Sequence, residues 1–397
     1  MFSHRLAFHL PHNPISDALA QRRAAGLPIL DLTESNPTRA GIVYPAAGIL
    51  AGFQAPQSLF YDPSSNGLPR ARAQIAELYG VAHERVVLTA SSSEAYSWLF
   101  KLLCDPGDEI LTPRPSYPLF EYLAALESVQ IRQYPLRYDD GWFIDFEPLA
   151  ASINERTRAI VVVNPNNPTG SYVKPWELDR LRQLCAAHNL ALISDEVFSD
   201  YPLEVMPPRS LTGVEDVLAF CLGGLSKMAG MPQMKLGWMI AGGPDTLREE
   251  ALSRIDLIAD SFLSVGTPVQ YALPNLLAAC SSVQPQILGR LRGNLEYLKE
   301  TVRGHDAFRW LEVEGGWYAI LRVPRIRTEE EWTLQLLESG VLVQPGYFYD
   351  FETEAYLVVS LLTPEPIFQE GIWKIVTMDS PIRAPAGFIS ANGPDDS

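Results

Sequence analysis

Two hydrophobic periodicities alternate along most of the chain. From about residue 68, short runs of consecutive apolar residues give way repeatedly to stretches whose apolar positions recur every third or fourth residue. The runs are Arg85-Val86-Val87-Leu88-Thr89, Glu109-Ile110-Leu111, Ala159-Ile160-Val161-Val162-Val163, Ala191-Leu192-Ile193-Ser194 and Val217-Leu218-Ala219-Phe220-Cys221-Leu222. Being continuous in Val, Ile and Leu, they predict strands buried on both faces. The stretch beginning near Ser93 brings Ala95, Trp98, Leu99, Leu102 and Leu103 to one helical face. The stretch from Pro175 to about His188 does the same with Leu178, Leu181, Leu184 and Cys185, and Pro175 is a helix start signal. Strands joined in turn by helices predict an α/β fold with a mostly parallel sheet sandwiched by helices.

The flanks read differently. Residues 13–26 predict a short amphipathic helix, and Ile29-Leu30-Asp31-Leu32 a strand. The prolines and small residues across 37–58 predict an irregular segment. A long helical region spans about 245–300. Beyond it, Phe308–Val313 and Trp317–Val323 predict neighbouring strands, then a helix over Glu329–Ser339 and strands at Val341–Val343 and Tyr356–Ser360. This is the pattern of a smaller α+β domain. The expected organisation is an N-terminal segment (1–47) joining the small domain, a large domain (48–285), the small domain (286–378) and a disordered tail (379–397) rich in Pro, Gly, Ser and Asp.

Composition narrows the partners. With 397 residues, 47% hydrophobic and 20% charged, the chain can bury a sizeable core. A formal net charge of -16 argues against a nucleic-acid interface or an anionic membrane surface, because both need clustered Lys and Arg. No stretch reaches the roughly 18 apolar residues of a membrane span. The N-terminus, Met1-Phe2-Ser3-His4-Arg5, lacks a signal-peptide core. Four scattered cysteines, Cys104, Cys185, Cys221 and Cys280, form no CxxC pair and predict free thiols in a cytoplasmic protein. His4, His9 and His12 lie near the N-terminus, and His83, His188 and His305 stand alone. No metal-ligand spacing appears.

Chemistry gathers where predicted strands end. Lys227 follows Gly223-Gly224-Leu225-Ser226, directly after an apolar run, a poor place for a surface charge and a good one for a Schiff base with a carbonyl cofactor. Asp195 closes a second run and Asn167 lies in the turn after a third. In open α/β sheets ligands bind beyond the carboxyl ends of strands. An amide, an acid and a lysine at three such ends suit pyridoxal 5'-phosphate, with Asp195 keeping a pyridine nitrogen protonated. Taken alone, Asp195 reads better as a helix or turn cap; with Lys227 and Asn167 in the same positions on the sheet, the cofactor reading prevails. Ser91-Ser92-Ser93 opens a helix and suits a phosphate, although a plain helix cap there is an equal reading. Tyr117 could stack on a flat ring or be a core aromatic.

Asn167-Pro168-Thr169-Gly170, Asp195, Ser226-Lys227 and Lys235-Leu236-Gly237-Trp238 resemble the class I/II aminotransferases of the pyridoxal-phosphate fold type I, over about Leu30 to Ile375. The resemblance implies a homodimer with active sites at the interface, acting on amino acids and 2-oxo acids. It assigns Lys227 to the Schiff base, Asp195 to the pyridine nitrogen, Asn167 to the ring O3′ and Tyr117 to ring stacking. It assigns Ser92, Ser93, Ser226 and Lys235 to the phosphate, and Tyr61 to the phosphate of the neighbouring subunit. Four positions depart from the family pattern. Phe198 stands where a tyrosine is usual, which should raise the pKa of the imine by removing a hydrogen bond. Gly224 replaces a serine. Lys235 replaces an arginine, trading a planar fork for a point charge. Val358 replaces the arginine that grips the substrate carboxylate. Arg39 and Arg322 are candidate substitutes, with Asn36 beside the first; for either arginine a solvated surface role is the simpler reading. The functions this leaves are an aminotransferase, a lyase such as a C–S β-lyase or a decarboxylase on the same scaffold, and a pyridoxal-phosphate-binding protein without catalysis.

Overall fold

The computed structural model describes residues 2–6, 13–204, 210–353 and 355–378. The segment 379–397 expected as a tail lies outside them, as do His9 and His12. Eight strands build the main sheet: β1 (Val86–Thr89), β2 (Glu109–Arg114), β3 (Gln130–Tyr138), β4 (Trp142–Ile144), β5 (Thr157–Val163), β6 (Ala191–Asp195), β7 (Ala219–Gly224) and β8 (Gly237–Gly242). Their spatial order is β1-β8-β7-β6-β5-β2-β3-β4. The pairs from β7 through β6, β5 and β2 to β3 are all parallel, and β8 and β4 run against their neighbours. Every residue of β1, β6, β7 and β8 is buried, which is why their sequences are continuously apolar.

One apolar cluster fills the side of the sheet holding Trp98, Leu99, Phe100 and Ile255. A larger one fills the other side and runs on into the C-terminal part of the chain. The Ser92–Leu103 helix buries Ala95, Trp98 and Leu99 as its spacing predicts, and the Pro175–His188 helix buries Leu181, Leu184 and Cys185. The Pro14–Ala24 helix forms, capped by Asn13, but only Ile15 of its residues is buried, so it is barely amphipathic. The region 37–58 is less irregular than its prolines suggest. Ala46–Gly52 is a helix lying on the long Thr267–Arg303 helix, where Asn275 Nδ2 donates to Gly48 O at 2.8 Å.

C-terminal to the main sheet, Arg309–Trp310, Tyr318–Arg322, Tyr356–Ser360 and Gln344–Pro345 form an antiparallel four-stranded sheet in that order. The two Phe308–Val323 runs contract to these shorter strands. Val341–Leu342 pairs instead with Leu30–Asp31, in parallel, and Ser360 N donates to Leu32 O at 2.7 Å. The expected boundary at 285 falls inside the continuous Thr267–Arg303 helix. Among the described residues no helix is long and apolar enough to cross a membrane.

The strand that leads to Lys227 depends on a close approach. Gly223 pairs with Trp238 across β7 and β8, and a Cβ added there would collide with the indole and come within 3.0 Å of Tyr79 Oη. Gly223→Ala is therefore expected to lower the stability of the chain by about 1–3 kcal/mol, read as a shift in the urea unfolding midpoint; an unchanged midpoint would contradict this packing.

Candidate active site

The parallel order of β5, β6 and β7 puts their carboxyl ends side by side, so the turns that follow meet in one cavity. Asn167 follows β5, Asp195 ends β6, and Lys227 sits in the helical turn Leu225–Met228 directly after β7. All three line a cavity of about 180 Å³, together with Ser92 and Ser93. Tyr117, Tyr318 and Ser35 form other parts of its wall. Tyr117 is 41% exposed and lies in the turn before the Phe120–Leu126 helix rather than at its start.

The lysine turn is held from below. Tyr201 Oη donates to Lys227 O at 2.7 Å and to Met228 O at 3.0 Å, and Gln284 Nε2 donates to Met228 O at 3.0 Å. Lys227 Nζ lies 4.8 Å from the ring centre of Trp317 and 5.3 Å from that of Phe198. Ring faces favour a cation modestly, but loss of water outweighs them. Burial pulls the Lys227 amine down to about 8, with Asp195 drawing it part of the way back. Asp195 is pushed the other way, up to about 6, by its own burial. Opposing that rise, Val197 N donates to its Oδ1 at 3.2 Å and Tyr96 Oη to its Oδ2 at 3.1 Å, with the Lys227 charge nearby. Between about pH 6 and 8 both groups therefore carry their charges.

Neighbouring asparagines do opposite jobs. Asn166 is fully engaged, accepting from Ser116 Oγ at 3.0 Å and donating to Pro115 O and Thr169 Oγ1. It stiffens the turn, helped by Gly170, whose φ of 70° and tight contacts with Val313 and Gly315 exclude a side chain. Asn167 is buried and its Oδ1 has no partner. An unpaired buried amide oxygen costs roughly 1–3 kcal/mol, so the cavity is set up for a group that pairs with this amide. At the other wall, Ser91 caps the Ser92–Leu103 helix by accepting from Glu94 N at 3.2 Å. The capping and phosphate readings thus divide between residues: Ser91 caps, and Ser92 and Ser93 face the cavity with the unpaired first-turn N–H groups. Acid, amine, orphaned amide and anion-ready helix end are the donor set that pyridoxal phosphate needs.

Other expected residues lie apart. Ser226 adjoins Lys227 but, like the exposed Lys235, is not part of the cavity wall. Tyr61 is 82% exposed. The Asn36 side chain is spent in a local turn, accepting from Thr38 N and Oγ1. Arg39, exposed, follows that turn, and it is Ser35 that reaches the cavity. Arg322 ends the strand that Tyr318 begins, about 13 Å further along, and lines a different cavity with Tyr138, Trp310 and Glu312. Val358 is fully buried, paired with Ile320 and Gln344. No arginine is among the described residues lining the Lys227 cavity. Sequence reasoning missed Tyr96, Trp317, Tyr318 and Ser35; only the i, i+3 spacing of Tyr96 from Ser93 on one helix could have hinted at the first.

Residues 29–367 match the family "Aminotransferase class I and II". The chain belongs to that family. It is 26% identical to the glutamate-pyruvate aminotransferase AlaA of Haemophilus influenzae, over 84% of this chain and 88% of the relative. It is 28% identical to the alanine aminotransferase of Mycobacterium bovis, over 87% and 84%. In fold it is similar to the solved alanine aminotransferase of Pyrococcus furiosus, with a TM-score of 0.86, 24% identity and 95% and 99% of the two chains covered. This aminotransferase is a pyridoxal-phosphate enzyme that moves an amino group between an amino acid and a 2-oxo acid.

The depressed lysine has a kinetic consequence. Its folded pKa is below the ordinary one, so the uncharged, nucleophilic amine gains population from about pH 8 upward. At pH 7 roughly a tenth of the amine is uncharged, against less than about a thousandth for an ordinary lysine. The rate at which cofactor-free chain forms a borohydride-reducible bond with pyridoxal phosphate is expected to climb through pH 8 and then level. A midpoint near that of free lysine would refute the buried amine.

Proposed function

We propose that this aminotransferase works through Lys227 as the amine that bonds the cofactor and as the base of the reaction. The observation that carries this reading is the convergence of the Lys227 amine, the Asp195 carboxylate and the unpartnered Asn167 amide in one cavity. Pyridoxal phosphate, when bound, supplies a carbonyl carbon that exchanges amines and a ring that takes up the electron pair left by a departing α-proton. Asp195, ionised above about pH 6, would hold the ring nitrogen protonated. The Asn167 amide would donate through Nδ2 to the ring's phenolic oxygen, and Tyr117 would cover one ring face. Ser92, Ser93 and the first-turn N–H groups would hold the phosphate, with the Ser226 hydroxyl and the Lys235 charge approaching it from outside the cavity wall. The Lys227 amine would be the group in the cavity that takes up the α-proton of the amino acid and gives it back. Phe198 presents no hydroxyl, so the wall beside the lysine stays apolar.

The substrate carboxylate needs a grip that Val358 does not supply. We assign it to Arg39, an exposed residue four positions after Ser35, which lines the cavity. The chain acts as a homodimer: Leu59, Phe60 and Tyr61 are 88%, 71% and 82% exposed, an apolar run that a second copy would cover, carrying Tyr61 to the partner's phosphate. The four free cysteines suit the cytoplasm.

The decisive experiment is a half-reaction without an acceptor. With alanine or glutamate, the amino acids that the relatives' names suggest trying first, one 2-oxo acid should be released per site, and Lys227→Ala should release none. The missing arginine favours a lyase as the second reading. Pyruvate, ammonia and sulfide released from cysteine over many turnovers, the thiol being the leaving group, would establish it and overturn transamination.

Arg39→Ala is expected to raise the KM for the amino acid by about 10- to 100-fold, the effect of losing a charge-assisted pair, with little change in cofactor affinity. An unchanged KM would remove Arg39 from the site.

A further inference from the structure

Asp195 ends a buried strand, and among the described residues its carboxylate is supported by the Val197 amide, the Lys227 amine and the Tyr96 phenol, while the Tyr117 phenol lies near enough to feel its charge. Two of the three supports belong to the strand-end turns that form the cavity. The third comes from the far side, from the second turn of the Ser92–Leu103 helix, the helix whose first turn lines the cavity with Ser92 and Ser93. Tyr96 is buried, held edge-on against Phe120 with ring centres 5.3 Å apart and tilted against Phe100 at 5.9 Å. Its hydroxyl has one hydrogen-bond acceptor, Asp195 Oδ2 at 3.1 Å. The other ionisable groups near it are the phenols of Tyr134 and Tyr117. Desolvation and the adjacent carboxylate hold the Tyr96 phenol far above its ordinary range, so it stays protonated and can act only as the donor. One rigid helix thus carries both the cavity's anion-facing end and the group that fixes the carboxylate.

We propose that Tyr96 is a positioning residue that keeps Asp195 ionised and aimed at the cofactor's ring nitrogen. The proposal rests on the reading of Asp195 given above. A carboxylate left with one backbone donor in a desolvated site is easier to protonate and free to rotate, and a protonated Asp195 cannot hold a pyridinium. The carboxyl stands at about 6 with the phenol in place, burial outweighing its donors, so removing the phenol must raise it further. The sign is therefore fixed: loss of Tyr96 Oη harms cofactor binding most on the acid side and least at alkaline pH.

The test is the affinity of the full chain for pyridoxal phosphate between about pH 5 and 8 in wild type, Tyr96→Phe and Asp195→Asn. Tyr96→Phe keeps the packing and removes only the hydroxyl. The expected result is an acid limb displaced upward by about one pH unit, roughly tenfold weaker binding near pH 6, affinity near wild type at pH 8 and an unchanged urea midpoint. Superimposed wild-type and Tyr96→Phe profiles would overturn the proposal. So would a loss equal at every pH, which packing alone would cause. An Asp195→Asn chain with the wild-type acid limb would overturn the placement of Asp195 itself, a different failure from that of Tyr96.

Discussion

Everything in this active site follows from placing one amine and one carboxylate in the same water-poor cavity. Neither is comfortable there: burial drives the Lys227 amine and the Asp195 carboxyl each toward its neutral form. Each charge partly offsets the cost of the other, and the remainder falls to fixed dipoles, the Val197 amide and the Tyr96 hydroxyl. Such compensation works only if the partners cannot drift. The parallel pairing of β5, β6 and β7 provides that rigidity, because their register decides where Asn167, Asp195 and Lys227 emerge. A slip of one residue would turn Asp195 to the opposite face of the sheet.

The second sheet is part of the same constraint. Trp317, which flanks the lysine amine, and Tyr318, which lines the cavity, come from the turn and strand at the start of Tyr318–Arg322. That strand pairs with Tyr356–Ser360, and Ser360 in turn bonds the N-terminal segment through its N to Leu32 O and its Oγ to Glu34 O, one residue before Ser35. The cavity is thus closed by three stretches far apart in sequence, tied together by main-chain hydrogen bonds. Low dielectric around Lys227 is a property of this closure as much as of the main sheet.

What could be read from the chain alone divides along physical lines. Strands buried on both faces announce themselves as continuous apolar runs, so the parallel core and the strand-end positions of Lys227, Asp195 and Asn167 were legible. β3 was not: it is a strand near the sheet edge carrying Arg132, Gln133 and Arg137 on its outer positions. β8 was read only as a motif, since Gly237–Gly242 is short and flanked by glycine. The Ala46–Gly52 helix gains its stability from lying on another helix, which no local pattern records. Tyr96 and Trp317 are core aromatics by burial. Their importance comes from what lies within a few ångströms, and contacts such as Tyr96 to Asp195 span 99 residues of sequence.

The Phe198 departure and the Tyr96 contact acquire a common sense in this geometry. Phe198 withholds a phenol from the lysine side of the cavity, and Tyr96 supplies one on the aspartate side. A donor beside the ring oxygen would stabilise negative charge there; a donor on Asp195 instead stabilises the carboxylate proposed to hold positive charge at the ring nitrogen. On that proposal the balance of the site moves toward a protonated ring, the state that accepts electrons best. Val358 then bears on a separate quantity. A buried valine in mid-strand cannot be replaced functionally from its own position, so the grip on the substrate has to come from outside the strand, and with it the freedom to choose a substrate independently of how the electrons are handled.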